Sequence, residues 1–283
     1  MFPAYAATAF LRQKSAGKKM SCERRIERAL SNGIILPLTR HSRYAVFSDC
    51  HRGCGNMSDN FLRNQHLYFA ALEHYYNEGF YYLELGDGEE LWENRCLKRI
   101  QDSHSNVYLK QECFKKQNRF GKIYGNHDME LKKELPESII LKNREGGRDL
   151  YMIHGHQADF FNSVCWKISR FLVRYVWKPL ELFGINDPTS AARNYRKVHK
   201  YEKCMLETAE KKNIYLIAGH SHRPHLMEQE LYVNAGSCVH PWGITVIEIE
   251  NMNMNLVKWF MGTRHDGTLY VQREVLEGEI PIG

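Results

Sequence analysis

Apolar positions that recur at helical spacing predict two helices in the first eighty residues. The stretch Ser21 to Leu30 predicts a short charged helix. A second helix is expected to begin at Ser58 or Asp59, whose side chains can accept hydrogen bonds from the first turn, and to end at Gly79. Its apolar positions are Phe61, Leu62, Tyr68, Ala71, Leu72 and Tyr75. With a strand on either side, this helix predicts a β-α-β unit.

Short runs of aromatic and β-branched residues predict six strands before residue 234. These runs are 44–47, 80–85, 119–124, 150–153, 214–218 and 231–233. The section 243–276 alternates in the manner of strands and contains turn-like residues at 251–253 and 266–267, so it predicts a β-meander. The expected fold class is α/β, with two packed mixed sheets that are flanked by helices.

The segment 157–213 has no strand pattern, and its periodicity predicts a helical insertion. The first helix has one apolar face, formed by Phe161, Val164, Cys165, Ile168, Leu172, Tyr175 and Val176. It also has a basic face, formed by Lys167, Arg170, Arg174 and Lys178. We interpret the insertion as a cap; the alternative is that the apolar face only packs on the core. The expected organisation is an N-terminal extension, 1–42, and one domain, 43–283, that contains this cap.

Composition indicates an enzyme of ordinary size with one large core. The chain has 283 residues, of which 43% are hydrophobic and 25% charged, so disorder is not expected. The net charge of +6 favours an anionic substrate or surface. Because 39 basic residues stand against 33 acidic ones, no nucleic-acid partner is expected.

Cysteine spacing and the N-terminal sequence predict a protein of the reducing cytoplasm. The eight cysteines include no C-x-x-C pair, and their spacing predicts neither a zinc site nor disulfides. The N-terminus places its apolar stretch before its basic cluster, the reverse of a secretory signal. No apolar run approaches the roughly 18 residues of a membrane-spanning helix. Membrane contact, if present, is expected to be peripheral, at the inner membrane face.

Five short motifs follow five of the predicted strands. They are SDCH (48–51), GDGEE (86–90), GNHD (125–128), HGH (154–156) and GHSH (219–222). Ligand sites of α/β sheets gather on loops at strand ends, so these motifs are expected to meet. Their candidate metal ligands are Asp49, His51, Asp87, Asn126, His154, His220 and His222. A mixed oxygen and imidazole set of this size is sufficient for two divalent ions, and it points to phosphoester hydrolysis.

The spacing of these residues predicts how two ions are shared. Asp49 and His51 lie two apart, so on an extended strand end both side chains reach one cation. Asp87 is expected to bridge both ions, because a carboxylate has two oxygens. The first site is completed by His222, and the second by Asn126, His154 and His220. Such ligands suit Mn²⁺, with iron or zinc as alternatives, better than calcium. Two ions activate a bridging hydroxide and clamp the phosphoryl oxygens.

Further residues are candidates for proton transfer and substrate binding. His127 is the expected general acid for the leaving group, and Glu90 is the candidate to hold its other ring nitrogen. Arg52, directly after a metal ligand, is expected to contact a phosphate oxygen; a salt bridge at the rim is the alternative. From the cap, the candidates to bind a diphosphate are Arg193, Arg196 and Lys197.

The five motifs, in this order, resemble those of the calcineurin-like metallophosphoesterases. The family pattern is Asp-x-His, Gly-Asp-x-x-Asp/Glu, Gly-Asn-His-Asp/Glu, His-Gly and Gly-His-x-His. The resemblance covers residues 44 to about 249 and implies an α/β sandwich with a dinuclear centre, in which His154 rather than His156 is a ligand. GDGEELWE, HGH-x-x-D, the basic and aromatic insertion, GHSHRP and LYVNAGS further resemble UDP-2,3-diacylglucosamine pyrophosphatases. That branch cuts a nucleotide-lipid diphosphate and holds acyl chains in a helical cap.

The expected function is therefore metal-dependent hydrolysis of a phosphate ester or diphosphate. A nucleotide-lipid or other amphiphilic substrate is favoured, with peripheral contact to an anionic membrane. Two alternatives stay open. One is a phosphoprotein or soluble nucleotide phosphatase of the same superfamily, and the other is a catalytically inactive metal-binding scaffold. The sequence makes no prediction of oligomeric state.

Overall fold

Eleven strands and seven α-helices are present in residues 21–177 and 200–282, the part of the chain that the computed structural model describes. The strands are β1 (Gly33–Leu38), β2 (Arg43–Phe47), β3 (Tyr81–Leu85), β4 (Phe120–Ile123), β5 (Ser138–Asn143), β6 (Leu150–Ile153), β7 (Tyr215–Ala218), β8 (Tyr232–Asn234), β9 (Ile244–Glu250), β10 (Asn253–Thr263) and β11 (Leu269–Pro281). The helices are α1 (Cys22–Leu30), α2 (Gln65–Asn77), α3 (Leu97–Ser103), α4 (Ser105–Lys116), α5 (Phe160–Ser163), α6 (Trp166–Leu172) and α7 (Lys200–Lys212).

The strands form two mixed sheets. The first sheet has the order β1-β5-β6-β7-β8, in which only the β5–β6 pair is antiparallel. The second has the order β11-β10-β9-β2-β3-β4, with β2, β3 and β4 parallel to one another and the remaining pairs antiparallel. The meander predicted for the C-terminal section is the β9–β10–β11 part of this sheet. The predicted fold class is confirmed.

Three apolar clusters hold the layers together. Between the sheets, Val46 and Leu83 of the second sheet pack with Met152 and Ile217 of the first. On the outer face of the second sheet, α2 and α4 bury an aromatic cluster that includes Tyr68 and Phe114. On the outer face of the first sheet, α1 and α7 cover the third apolar cluster. Because burial of a large apolar side chain contributes about 1.5–3 kcal/mol, the first cluster fixes how the two sheets meet, and the other two hold the helices on the sheets.

The described part of the predicted N-terminal extension takes part in this fold. Strand β1 pairs in parallel with β5, and Gly33 lies opposite Ser138. Helix α1 packs against β5, β6 and α7. Neither β1 nor β5 was predicted, and α3 and α4 were not predicted either. Neither strand alternates apolar and polar residues, and β1 contains Pro37, which is uncommon inside a strand.

A disulfide between Cys22 and Cys204 joins α1 to α7. The prediction of no disulfide is therefore wrong. The two cysteines are 182 residues apart, so local spacing carries no signal of the pairing. The bond ties the N-terminal segment to the last helix of the insertion.

Most of the described residues of the insertion are helical, but the single helix predicted over 161–176 is divided into shorter elements. The helical residues comprise α5, α6, a π-helical turn at Val173–Trp177, and α7. Residues 178–199 lie outside the described part of the chain, and with them the predicted phosphate contacts of Arg193, Arg196 and Lys197. Among the helices that are described, none combines the length and the apolar character needed to cross a bilayer.

Candidate metal centre

Strand order brings the five motifs to one edge of the sandwich. SDCH, GDGEE and GNHD follow β2, β3 and β4, which are adjacent and parallel in the second sheet. HGH and GHSH follow β6 and β7, which are adjacent and parallel in the first sheet. Side chains at the carboxyl ends of the two sheets therefore face one another across a common site.

Five of the seven predicted ligands have a left-handed backbone. Their φ angles are 53° at Asp49, 47° at His51, 50° at Asp87, 67° at His220 and 54° at His222. The extended backbone predicted for the first two is therefore wrong. A non-glycine residue in this region costs on the order of 1–3 kcal/mol, and such residues cluster at functional sites because the surrounding structure holds them there. The strain marks these loops as functional.

The first ligand cluster consists of Asp49, His51 and His222. Asp49 Oδ1 lies 3.1 Å from His222 Nε2 and 3.8 Å from His51 Nε2, and the two ring nitrogens are 3.2 Å apart. All three side chains are buried. Three donor atoms therefore converge on one point, which is the arrangement that a metal ion needs.

The second cluster consists of Asp87, His154 and His220, with Asn126 beside it. Its three ligand atoms lie within 4.8 Å of one another. His154 Nε2 is 3.2 Å from Asp87 Oδ2 and 3.1 Å from Asn126 Oδ1. The seven predicted ligands thus lie in two adjacent groups at a single site.

Asp87 lies between the two clusters. Its Oδ2 faces His154 Nε2 of the second cluster and lies 3.8 Å from His51 Nε2 of the first. Its Oδ1 accepts a 2.7 Å hydrogen bond from the backbone amide of His127. Asp87 Oδ2 therefore faces histidines of both clusters, and Asp87 would be shared between the two ions if both were bound.

The hydrogen bonds of the site leave candidate ligand atoms free to bind a metal ion. Asp49 Oδ2 accepts hydrogen bonds from Ser48 Oγ at 2.5 Å and from the His220 amide at 2.9 Å, whereas the buried Asp49 Oδ1 has no hydrogen-bond partner. A buried oxygen of this kind costs free energy unless a ligand satisfies it. The His154 Nδ1–H donates to the Leu85 carbonyl at 2.7 Å, which leaves the Nε2 lone pair directed at the cluster. The residues present fit divalent metal ions.

Glycine is required where the motif loops touch. A Cβ atom on Gly219 would overlap Ser48 Oγ and Asp49 Oδ2. A Cβ atom on Gly125 would overlap Asp87 Oδ1. The glycines of GHSH and GNHD therefore allow the loops of the two sheets to approach closely enough for the ligands to meet.

His127 lies beside the clusters and is oriented from two sides. Its Nδ1 is 2.8 Å from Glu90 Oε1, and Oε2 of the same carboxylate is 2.7 Å from His51 Nδ1. The indole of Trp92 stacks on the His127 ring, with centroids 4.2 Å apart and an interplanar angle of 23°. The His127 side chain is 21% exposed, so a substrate can reach it. With Nδ1 held by Glu90, Nε2 is the nitrogen available to a leaving group.

The charges around His127 favour its protonated form. Burial disfavours the imidazolium and acts to lower the pKa of His127. The carboxylates of Glu90 and Asp87 outweigh the effect of burial and raise this pKa. Burial likewise acts to raise the pKa of Glu90, but His127 and His51 lower it to about 2. A protonated imidazole held by an ionised carboxylate is the arrangement of a general acid with its orienting base.

Arg52 lies in the interior and not at the rim. It is fully buried, and its Nη1 and Nη2 donate to the two carboxylate oxygens of Glu84 at 2.9 and 2.7 Å. Glu89 accepts a further 3.0 Å bond, and Lys122 pairs with both glutamates. Neither the predicted phosphate contact nor a rim salt bridge fits this position. Arg52 instead anchors the GDGEE loop through Glu89 from behind the metal clusters.

Replacing Arg52 with methionine is expected to lower the free energy of unfolding by about 3–5 kcal/mol, because two buried carboxylates lose a partner. Chemical denaturation measures the loss. The control is Arg40→Ala, which breaks an ion pair with Glu145 whose arginine side chain is 69% exposed and which is expected to change stability by less than about 1 kcal/mol. Equal effects of the two changes would contradict a buried structural role for Arg52.

Both ends of the insertion contact the second cluster. At the first end, Asp159 Oδ2 lies 3.5 Å from His220 Nε2. At the second, the ring of Tyr201 packs on His220 with centroids 5.2 Å apart. Neither contact was predicted, although the HGH-x-x-D spacing singles out Asp159. The insertion therefore borders the metal centre.

Comparison with known proteins gives one family and a set of distant structural neighbours. The model of the calcineurin-like phosphoesterase superfamily domain matches residues 43–251. Two crystal structures of Vps29 from Chaetomium thermophilum, one in complex with a cyclic peptide, are similar at 13% identity; each match covers 86% of this chain and 100% of the other, with TM-scores of 0.42 and 0.40. No curated protein sequence matches significantly. Since the family model spans most of the chain and its motifs form the two ligand clusters, this protein belongs to the calcineurin-like phosphoesterase superfamily and is a metal-dependent phosphoesterase.

Proposed function

We propose that this phosphoesterase hydrolyses a phosphodiester or diphosphate bond in an amphiphilic substrate, such as a nucleotide-lipid diphosphate, with Mn²⁺ as its native metal. The observation that carries the proposal is an exposed apolar surface of the helical insertion beside the metal centre. We call this surface the apolar cap face. It comprises Phe161, Val164, Ile168, Phe171, Leu172, Tyr175 and Val176.

The apolar cap face is open to solvent in the described structure. Phe161 is 69% exposed, Ile168 63% and Phe171 58%. A helix that only packed on the core would bury such a stripe, so the packing alternative is disfavoured. Basic side chains, Lys167 and Arg170 among them, lie on the same helix. Apolar groups next to basic ones suit the boundary between lipid headgroups and acyl chains.

The apolar cap face lies close to the metal clusters. The insertion begins at the residues around Asp159, which contacts His220. Further along, Tyr175 Oη accepts a 2.8 Å hydrogen bond from Arg95, in the segment that follows GDGEE. A substrate with its phosphate at the metal clusters would therefore have this face within reach of its acyl portion. Anionic membrane contact through the same face is part of the proposal.

The chain's own residues have defined roles in the proposed reaction. When bound, two divalent ions lower the pKa of water and neutralise charge on the phosphoryl oxygens. Asp49, Asp87 and the ligand histidines hold those ions in the buried clusters. His127 donates its Nε2 proton to the departing oxygen, and Glu90 keeps that imidazole oriented and charged. The proton donor is the more exposed group, because the His127 side chain is 21% exposed and the candidate ligands are buried.

A soluble nucleotide or phosphoprotein phosphatase is the second candidate. It needs the same metal clusters but assigns no role to the apolar cap face, which is the feature that distinguishes the two. An inactive metal-binding scaffold is the third. The His127–Glu90 pair argues against it, because metal binding alone does not require a proton donor beside the ligands.

Replacing Ile168 and Phe171 together with aspartate is expected to raise the KM for an acylated nucleoside diphosphate about 10²–10⁴-fold, since burial of each apolar side chain is worth about 1.5–3 kcal/mol. The same variant should hydrolyse a small aryl phosphodiester at the wild-type rate. The matched control is Leu109→Asp, a similarly exposed leucine, 66%, on α4. Steady-state kinetics on both substrates, with manganese present, measure the difference.

Vesicle binding tests the membrane part of the proposal. The wild-type chain should bind anionic phosphatidylglycerol vesicles at low salt and dissociate as salt rises, because exposed charges are screened over roughly 8–10 Å at physiological ionic strength. If the double variant treats large and small substrates alike and the wild type ignores vesicles at low salt, the nucleotide or phosphoprotein alternative is favoured instead.

A further inference from the structure

The insertion contains a helical irregularity next to the active site. Helix α6 ends at Leu172, and the chain continues as a π-helical turn over Val173–Trp177. Such turns are rare and frequently occur at functional sites. This one carries Arg174, the basic residue whose side chain turns inward from a helix whose apolar neighbours are exposed.

Arg174 binds the backbone of the loop that follows GDGEE. Its Nε donates to the Trp92 carbonyl at 2.6 Å, and its Nη2 donates to the Leu91 carbonyl at 2.7 Å. Both loop residues are 3% exposed. Hydrogen bonds from a charged guanidinium to two neighbouring acceptors are short, directional and strong. One side chain of the insertion therefore fixes two consecutive peptide groups of the loop.

The same loop contacts His127 in two ways. The Leu91 amide donates a 3.2 Å hydrogen bond to the His127 carbonyl, and the Trp92 indole stacks on the imidazole. Trp92 Nε1 is buried and has no hydrogen-bond partner. The indole is thus held by its backbone and by packing alone, so any shift of the loop moves the surface against which His127 rests.

We propose that Arg174 is a positioning residue for the proton donor. It holds the Leu91–Trp92 backbone so that the indole keeps the His127 ring aligned with Glu90 and directed at the leaving group. The inference rests on the proposed role of His127 and adds a link from the insertion to the chemical step. A displacement of about 1 Å in such a group can lower turnover by up to roughly 100-fold.

A double-mutant cycle of Arg174→Ala and His127→Ala tests this link. Substrates are a phenyl phosphodiester, with a poor leaving group, and its nitrophenyl counterpart, with a good one. Arg174→Ala alone should lower kcat about 10–100-fold on the phenyl diester and less on the nitrophenyl diester, with KM and metal content unchanged. In the His127→Ala background it should lower kcat no further, because the group that it positions is gone. Arg174→Lys, which retains one charged donor, should restore part of the loss.

The control is Arg95→Ala, which removes a contact between the same two segments without touching the Leu91 or Trp92 carbonyls. It is expected to stay within about twofold of wild type on both substrates. Additive losses in the cycle, or equal losses for Arg95→Ala and Arg174→Ala, would show that the insertion merely docks and would overturn the inference.

Two further outcomes distinguish a failure of this inference from a failure of the proposed function. If Arg174→Ala does not fold, Trp92→Leu takes its place in the cycle, and additive losses there count against the inference in the same way. A wild-type chain without metal-dependent hydrolysis would remove the proposed function and this inference with it. An active wild type with additive losses would overturn only the role of Arg174.

Discussion

Replacing Asp87 with alanine is expected to remove both metal ions and to lower turnover more than any other single change, by about 10³-fold or more. Asp87 Oδ2 faces a histidine of each cluster, so its loss opens both sites at once. Burial acts to raise the pKa of Asp87, but His154 and His127 lower it, so the native side chain is ionised, as a metal ligand would have to be. Elemental analysis after gel filtration, together with turnover of a nitrophenyl diester, measures both effects.

The matched variant for Asp87→Ala is Asn126→Ala. Asn126 Oδ1 contacts only the second cluster, through His154, so its loss is expected to weaken mainly one site. The two variants are therefore expected to differ in the number of metal ions bound per chain. An Asp87→Ala protein that carries two transition-metal equivalents per chain with normal turnover would show that the dinuclear assignment is wrong.

The second large effect is expected for His127→Ala, which should lower turnover roughly 10²–10⁴-fold while leaving the metal content unchanged. His127 contacts Glu90 and Trp92 and is not one of the predicted ligands, so the ions should stay in place. A proton donor matters most when the leaving group is a strong base. The loss should therefore be larger on alkyl than on nitrophenyl substrates.

A partly buried histidine outside both ligand clusters provides the control. His225 is bonded to Glu230 at 2.7 Å, is not part of either cluster, and its replacement by alanine should leave turnover close to wild type. An equal loss for His127→Ala on nitrophenyl and alkyl substrates would mean that His127 positions the phosphate and does not donate a proton.

The strands and the convergence of the candidate ligands were accessible from sequence because their signals are local. β6 was predicted with its observed bounds, and β2, β3, β4 and β7 to within one residue at each end. The motifs that follow these strands carry the ligands, so knowing that the strands share an α/β sandwich was sufficient to expect the ligands to meet. The left-handed backbone at Asp49 and the hydrogen bond from the His127 amide to Asp87 Oδ1 were not accessible, because both depend on contacts between loops.

Arg52 shows why the remainder of the site was not predictable. Its position directly after His51 suggested a phosphate contact, but its partners Glu84 and Glu89 lie on strand β3 and in the loop that follows it. The direction of its side chain follows from those buried charges and not from its neighbours in sequence. The same holds for Arg174. Its place on a basic helix face gives no signal that its side chain binds the carbonyls of Leu91 and Trp92.

Long-range pairing accounts for the other differences. β1 joins the first sheet only because β5, some hundred residues later, offers a parallel partner from Ser138 onward. The disulfide between Cys22 and Cys204 likewise joins two helices that no spacing rule connects. Both features lie partly outside residues 43–251, the segment that matches the family model, so the superfamily motifs carry no information about them.

The most direct test of the central claim is the metal content and the activity of the wild-type chain, measured on one preparation. Close to two divalent transition-metal ions per chain are expected, together with hydrolysis of bis(nitrophenyl) phosphate that disappears on chelation and recovers when Mn²⁺ is added back. Hydrolysis that survives complete removal of metal, or a protein that carries both ions and cleaves no phosphoester, would contradict the central claim.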